Sequence, residues 1–306
     1  MIVAHLSDLH LRNRDDVVEF AHQLDRVALH QPLHLAITGD LLDRWDPALL
    51  EHTLDILGER GWLDGDRASI IHGNHDLSSS GGHPRDRRDL WRLVARFWDP
   101  PPLITWRRRE FHRRIERRAA SVALRPGEVK TLPGGLRLVM VDSIPALWMP
   151  VSLAAGTVTL RSGEGRIPAS QVDWLSAQAG SSPLAVLIHH YPLPVGSFRW
   201  NVGRLGISAR LLTLLERWQV VVTMEMVSAD RDAFWKAAHH AGVSAVLCGH
   251  VHRARLDRHG PAVVGLNGQS GAAWAGRTIA YYRVERDGVS VEYEPAARTA
   301  APARTA

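Results

Sequence analysis

Five short clusters of polar residues, each placed after an apolar run, carry the side chains of this sequence that could do chemistry. The clusters are Asp8-Leu9-His10, Gly39-Asp40-Leu41-Leu42-Asp43, Gly73-Asn74-His75-Asp76, His189-His190 and Gly249-His250-Val251-His252. Their carboxylate, imidazole and amide groups suit Mn, Fe, Zn, Co or Ni, and the set contains no thiolate. A carboxylate can bridge two ions, and two ions about 3.5–4 Å apart activate water for attack on phosphorus. The set therefore predicts a two-metal hydrolytic centre with Asp40 as the bridging ligand.

The elements that must bring these donors together are predicted from the apolar runs before them. Buried strands are predicted over residues 2–6, 33–38, 69–72, 184–188 and 243–248. Helical spacing of apolar residues predicts helices over 15–29 and 49–57, and Asp15 or Asp16 is expected to cap the first of them. Strands that alternate with helices are typical of an α/β fold, in which the strand ends share one rim of a sheet. We expect extended backbone at Asp8 and His10, which would point both side chains to the same side.

The pattern in the rest of the chain is less regular. It predicts helices over 89–98, 168–178, 208–218 and 230–241, strands over 136–141, 262–266, 279–284 and 289–293, and a turn or hairpin within 151–167. Residues 220–227 are ambiguous between strand and helix. The arginine-rich stretch 107–118 forms a helix with only a thin apolar seam of Phe111, Ile115 and Ala119. Its arginines are either an anion-recruiting rim over the site or a solvated helix face.

Composition limits the class of protein. The chain has 306 residues, of which 45% are hydrophobic and 23% charged, as in soluble globular proteins. Its formal net charge is +5 and nearly all of the positive charge is arginine, which indicates an anionic partner or a GC-rich genome. The single cysteine, Cys248, excludes an intramolecular disulfide and suits a reducing compartment. No signal peptide is expected, and no apolar run approaches the roughly 18 residues of a membrane span, so we expect a cytoplasmic protein with no integral membrane association.

In content and order the five clusters resemble the motifs of the calcineurin-like metallophosphoesterases, over about residues 1–255. The resemblance implies an α/β fold, a four-layer α-β-β-α sandwich of two mixed β-sheets flanked by helices. It also implies two divalent metal ions, of which manganese is favoured. One ion would be held by Asp8, His10, Asp40 and His252, and the other by Asp40, Asn74, His189 and His250. In the same comparison His75 would contact the phosphate and protonate the leaving oxygen, with Asp76 orienting its ring. Of the adjacent pair at 189 and 190, the first histidine is favoured as the ligand.

The function that the resemblance implies is a phosphodiesterase, in which a metal-bridging hydroxide attacks phosphorus in line. A monoesterase remains open, and so do a nuclease, a lipid-pyrophosphate hydrolase and a non-catalytic metal-binding scaffold. The lipid-pyrophosphate enzymes usually carry arginine where His75 stands and rank lower. A phosphate ester is the expected substrate and nucleic acid is not favoured. Candidate substrate contacts are Arg199, Trp200 and Asn201.

The donors extend from residue 8 to residue 252 and cannot be divided between independent domains. The sequence therefore predicts one metallophosphoesterase domain over residues 1–294. Residues 78–130 are a candidate substrate-covering insertion, and 295–306 are expected to form a disordered tail. The sequence does not indicate the oligomeric state.

Overall fold

The computed structural model of the chain describes residues 1–79, 99–144, 151–154, 157–160, 164–195, 198–201, 219–222, 226–267, 278–285 and 288–295, with the backbone alone described in the four short strands between 151 and 222. The predicted helices over 89–98 and 208–218, and residues 296–306 of the predicted tail, lie outside these ranges.

The first β-sheet has five strands in the order β15-β14-β1-β2-β3. Its members are β1 (Ile2–Leu6), β2 (His34–Thr38), β3 (Ala68–Ile71), β14 (Thr278–Val284) and β15 (Val289–Pro295). The three N-terminal strands are parallel to one another, and β14 joins β1 antiparallel. The C-terminal strands β14 and β15 therefore complete this sheet, and β14 lies inside it.

The second sheet has six strands in the order β12-β13-β11-β8-β5-β4. They are β4 (Val129–Thr131), β5 (Arg137–Val141), β8 (Leu184–Ile188), β11 (Val243–Cys248), β12 (Arg255–His259) and β13 (Ala262–Leu266). The four central strands are parallel, and β4 and β12 pair antiparallel at the two edges. Both sheets are thus mixed, as predicted.

Five helices are described, and each has an apolar face. They are α1 (Arg14–Leu29), α2 (Pro47–Glu59), α3 (Pro101–Arg118), α4 (Ala169–Ser176) and α5 (Ser228–His240). The predicted cap of α1 is wrong, because the side chain of Asn13 accepts the Asp16 N–H instead. In α3 the apolar seam is confirmed, since Phe111 and Ile115 are fully buried against the first sheet. The part of the predicted 78–130 insertion that forms this helix is thus packed into the core.

Side-chain alternation along the strands divides the core into layers. On β8, Leu184, Val186 and Ile188 pack with residues of α4 and α5, whereas Ala185 and Leu187 face the first sheet. The opposite side of the first sheet packs against α1, α2 and α3. The result is helices, sheet, sheet and helices, which confirms the predicted four-layer α-β-β-α sandwich.

A third, four-stranded sheet was not predicted. It contains β6 (Val151–Ala154), β7 (Thr157–Leu160), β9 (Phe198–Asn201) and β10 (Gln219–Val222), in the order β6-β7-β10-β9. The antiparallel pair β6–β7 is the hairpin expected within 151–167. Of the ambiguous stretch 220–227, residues 220–222 belong to strand β10. Among the described helices, none is both long enough and apolar enough to cross a membrane.

Candidate metal centre

The polar clusters converge because each follows the carboxyl end of a parallel strand. Strands β1, β2 and β3 lead into the first three clusters, and β8 and β11 of the second sheet lead into the last two. Main-chain hydrogen bonds then join the loops to one another. The links are Asp8 N to Gly39 O at 3.1 Å, His10 N to Asp40 O at 2.9 Å and Gly249 N to His189 O at 3.0 Å. The two sheets thus bring their strand ends to one common site.

One group of donors consists of Asp8, His10, Asp40 and His252, whose nearest ligand atoms all lie within 4.8 Å of one another. The Nε2 atom of His252 is 3.3 Å from Asp8 Oδ1, and that of His10 is 3.7 Å from Asp40 Oδ2. Burial opposes ionisation of Asp8, but His252, His189 and His10 outweigh it and lower its pKa. The carboxylate is therefore in its charged, metal-binding form.

A second group lies on the other side of Asp40. Asn74 Oδ1 is 2.9 Å from His189 Nε2 and 3.1 Å from His250 Nδ1, and the same His189 nitrogen is 3.4 Å from Asp40 Oδ2. The two groups share Asp40, which agrees with its expected position between two ions.

The donor chemistry of the second group fits a cation. His189 Nδ1 lies 2.9 Å from the carbonyl oxygen of Thr38, and since a carbonyl only accepts, Nδ1 carries the proton. The neutral ring then directs the Nε2 lone pair at the oxygens of Asn74 and Asp40, which are acceptors as well. Asp40 Oδ2 is buried and accepts no hydrogen bond from the described residues. Burial lowers the pKa of His189, but the negative charge of Asp40, 3.4 Å away, outweighs it and raises the pKa to about 9. A positive charge between the His189 ring and the oxygens of Asn74 and Asp40 is thus stabilised, whether a proton or a metal ion supplies it.

The backbone is strained at the candidate ligands. Positive φ angles occur at Asp8 (54°), His10 (45°), Asp40 (50°), His250 (75°) and His252 (57°). The expected extended backbone at Asp8 and His10 is therefore wrong, although their side chains do reach one site. Residues other than glycine rarely adopt these angles, and such strain is concentrated at functional sites. The main-chain bonds between the loops hold these conformations.

A family model for calcineurin-like phosphoesterases matches residues 1–254. The chain belongs to the calcineurin-like phosphoesterase family. Among curated proteins it is similar to a "probable cyclic nucleotide phosphodiesterase" of Psychrobacter arcticus, with 23% identity over 229 residues; the match covers 74% of this chain and 58% of that protein. The chain therefore spans under two thirds of that relative's length.

Solved structures share the fold of this chain at low sequence identity. A dimetal phosphatase from Danio rerio is similar with a TM-score of 0.56 and 10% identity, over 97% of this chain and 96% of that chain. A protein of Thermus thermophilus is similar with a TM-score of 0.50 and 10% identity, over 97% of this chain and 99% of that chain. At this identity the similarity concerns the fold alone.

The ring of His75 is held by Asp43. His75 Nδ1 lies 2.8 Å from the Asp43 carbonyl oxygen and therefore donates to it. The Asp43 carboxylate is also 3.6 Å from His10 Nδ1, so this residue supports two imidazoles behind the metal donors. Asp43 does not cap the neighbouring helix α2, because Asp46 does.

The expected orienting role of Asp76 is wrong. Its carboxylate accepts hydrogen bonds from the main-chain N–H groups of Leu41, Leu42 and Gly73, at 3.3, 2.8 and 2.8 Å. It therefore ties the loop after β3 to the loop after β2. Burial and the nearby charge of Asp40 raise the pKa of this carboxyl to about 7, so a cation beside Asp40 would favour its ionised form.

His190 lies behind the donors rather than among them. Its Nδ1 is 2.8 Å from Ser143 Oγ, and its ring centroid is 4.3 Å from that of His250. His189, in contrast, faces Asp40 and Asn74. This arrangement agrees with the expectation that the first histidine of the pair is the ligand. The contact with Ser143 carries no signal in the sequence.

Two glycines permit the close approach of the loops. A Cβ atom on Gly73 would lie 2.2 Å from Asp40 Oδ1 and 2.3 Å from Asp40 N. On Gly249 it would lie 1.9 Å from Ser7 Oγ and 2.4 Å from Asp8 Oδ2. The glycines that precede Asn74 and His250 are thus required by the packing of the centre.

Arg199, Trp200 and Asn201 have their backbone in β9, and their side chains lie outside the described part of the chain. Their expected contact with a substrate stays a prediction. His34 is a structural histidine, buried with Nδ1 2.7 Å from the Asp66 carbonyl oxygen and Nε2 3.0 Å from Ser69 Oγ.

Proposed function

We propose that this chain is a phosphodiesterase that depends on two divalent metal ions bound on either side of Asp40. The observation that carries the proposal is the pair of donor groups that share one buried carboxylate. One ion would be held by Asp8, His10, Asp40 and His252, and the other by Asp40, Asn74, His189 and His250. When bound, two such ions supply an activated water and positive charge for the phosphoryl oxygens. Manganese is the favoured metal, because carboxylate, imidazole and amide donors suit it.

His75 is the proposed proton donor to the leaving oxygen. Its Nδ1–H is committed to Asp43, so Nε2 is the nitrogen that can exchange a proton with the substrate. Its ring centroid is 4.4 Å from that of His10, so the ring borders the first group of donors. A histidine can both contact a phosphate and release a proton near neutral pH.

A diester is the proposed substrate class, because the similar protein of Psychrobacter arcticus is named a probable cyclic nucleotide phosphodiesterase. The departing alkoxide needs a proton, which His75 can supply. The proposal includes a single domain over residues 1–294, since donors from residue 8 to residue 252 form one centre, and a cytoplasmic location.

The test compares bis(4-nitrophenyl) phosphate with 4-nitrophenyl phosphate, using metal-stripped protein resupplied with manganese. We expect metal-dependent hydrolysis of the diester and a loss of at least about 100-fold in Asp40→Ala. The loss in His75→Ala should be smaller, because 4-nitrophenolate departs with little need of a proton. Preference for the monoester would replace the diesterase proposal with a phosphatase. Tight manganese binding without hydrolysis of either ester would overturn the enzymatic proposal and favour a binding protein.

A further inference from the structure

The most exposed large aromatic side chain among the described residues lies on α3, the helix that is bonded to the loop carrying His75. Trp106, in the second turn of α3, is 52% exposed. Its ring meets that of Trp45 edge to face, with centroids 6.0 Å apart and planes at 73°. Trp45 is partly buried and packs against the core of the first sheet. The indole of Trp45 is therefore held by the core, and the indole of Trp106 is accessible to solvent.

Trp45 is attached directly to the catalytic loops. It follows Asp43 by two residues, and the Asp43 carbonyl oxygen holds the ring of His75. The main-chain N–H of Trp45 donates to the carbonyl oxygen of Ser78 at 2.7 Å, and Ser78 lies three residues beyond His75. Two residues of chain span at most about 7 Å, so Trp45 lies within reach of a group bonded to the reacting phosphate.

Trp106 is anchored to the same loop through its neighbours on α3. Ile104 forms a small buried cluster with Leu77 and Ile144. Arg107 donates to the Leu77 carbonyl oxygen at 2.8 Å and pairs with Asp99 at 3.1 Å, with both side chains almost fully buried. The first half of α3 is thus fixed to the loop that carries His75, and the exposed indole has a defined position.

Positive charge accompanies the aromatic pair. Arg109, one turn beyond Trp106 and on the same side of α3, is exposed and has no ion-pair partner among the described residues. Arg44, next to Trp45, is likewise exposed and makes no ion pair within the part of the chain that the structure describes. Further along α3 the arginines are neutralised, as when Glu51 pairs with Arg114 at 2.8 Å. Uncompensated guanidinium groups therefore remain where the two indoles lie.

We propose that Trp106, Trp45 and Arg109 form a subsite for the nucleobase of a nucleotide diester, next to the reacting phosphate. The inference rests on the proposed phosphodiesterase function and names its substrate class. An indole face accepts a planar base by stacking, and guanidinium groups attract the phosphate to which the base is linked. An acyl chain would need a longer apolar surface. The other exposed large apolar side chains of the described residues lie elsewhere, namely Val18 and Leu29 on α1, Leu33 before β2, Val129 on β4 and Leu256 on β12.

The test uses two diesters with the same leaving group, thymidine 5′-(4-nitrophenyl phosphate) and methyl 4-nitrophenyl phosphate. We expect wild-type protein to prefer the thymidine ester in kcat/KM. Trp106→Ala should reduce that preference about tenfold and leave hydrolysis of the methyl ester within about twofold. Trp106→Phe should retain part of the preference. Arg117→Ala, an exposed change three turns further along α3, is the matched control and should leave both rates unchanged. An equal fall for both esters, or no preference in wild-type protein, would overturn the subsite.

A binding measurement separates failure of the subsite from failure of the proposed function. Calorimetry would compare AMP with inorganic phosphate on manganese-loaded protein, which requires no turnover. Tighter binding of AMP that Trp106→Ala weakens about tenfold supports the subsite even if neither diester is hydrolysed. Equal affinity for AMP and phosphate, or no binding of AMP, overturns the subsite even if the methyl ester is hydrolysed.

Discussion

Replacing Gly73 by alanine should push the loop after β3 away from Asp40. The added Cβ would lie 2.2 Å from Asp40 Oδ1 and 2.3 Å from Asp40 N, whereas ordinary van der Waals contact begins near 3.4 Å. The contact with Asp40 N alone requires the loops to separate by about 1.1 Å, the difference between 3.4 and 2.3 Å. A side chain could turn away, but the main-chain nitrogen of Asp40 cannot.

The consequences for activity and stability differ in size. A misplacement of about 1 Å in a catalytic site costs on the order of 10²-fold in rate. Overpacking costs about 1–3 kcal/mol of the free energy of unfolding, which small domains with about 5–15 kcal/mol of stability survive. We expect Gly73→Ala to fold, to melt at a lower temperature, and to lose about 100-fold in manganese-dependent diester hydrolysis.

Gly58→Ala is the matched control for this substitution. Gly58 lies in α2, and a Cβ there would meet only Leu63 Cδ1 at an ordinary 3.6 Å. Alanine in a helix should raise the free energy of unfolding by about 0.5–1 kcal/mol and leave hydrolysis unchanged. Circular dichroism melts and diester hydrolysis would be measured for both variants. Wild-type activity and two bound metal ions in Gly73→Ala would refute the claim that the close contact with Asp40 builds the centre.

Three further predictions concern stability. Burial and the charge of Lys130 lower the pKa of His34 to about 3, so below pH 6.5 the unfolded chain takes up a proton that the folded state does not. The free energy of unfolding should therefore fall as the pH drops. Between pH 7 and pH 5, urea melts of His34→Gln should show a fall that is about 2 kcal/mol smaller than in the wild-type protein. Asn13→Ala removes the cap of α1 and should cost about 1 kcal/mol in the same assay, with diester hydrolysis unchanged. Glu51→Gln weakens partly exposed ion pairs with Arg114 and two further arginines. It should lower the free energy of unfolding by under about 1 kcal/mol at low salt and by less in 1 M salt. An equal decrease at both salt concentrations would contradict an electrostatic origin.

The elements that hold the site could be predicted because their sequences are unambiguous. Strands β2 and β8 are short apolar runs, fully buried on both faces, and each ends directly at a donor cluster. The order of the clusters then identified the family, and the family implied the layers. The apolar seam of α3 was likewise readable, since Phe111 and Ile115 follow helical spacing.

Other features depend on contacts that a local pattern does not encode. The positive φ angles of Asp8 and His10 are imposed by main-chain bonds to the loop after β2, which lies some thirty residues away in the chain. Asp76 follows His75 directly, yet Asp43 holds its ring, because the loop turns the Asp76 carboxylate towards main-chain amides. Strand β12 was missed because its sequence is polar and it lies at the edge of the sheet, where exposed side chains leave no alternation to read.

The most direct test of the two-metal centre is anomalous scattering from crystals of metal-stripped protein soaked with manganese. The account predicts two peaks about 3.5–4 Å apart with the carboxylate of Asp40 between them. Asp8, His10 and His252 should surround one peak, and Asn74, His189 and His250 the other. A single peak, or two peaks that do not share Asp40, would contradict the account.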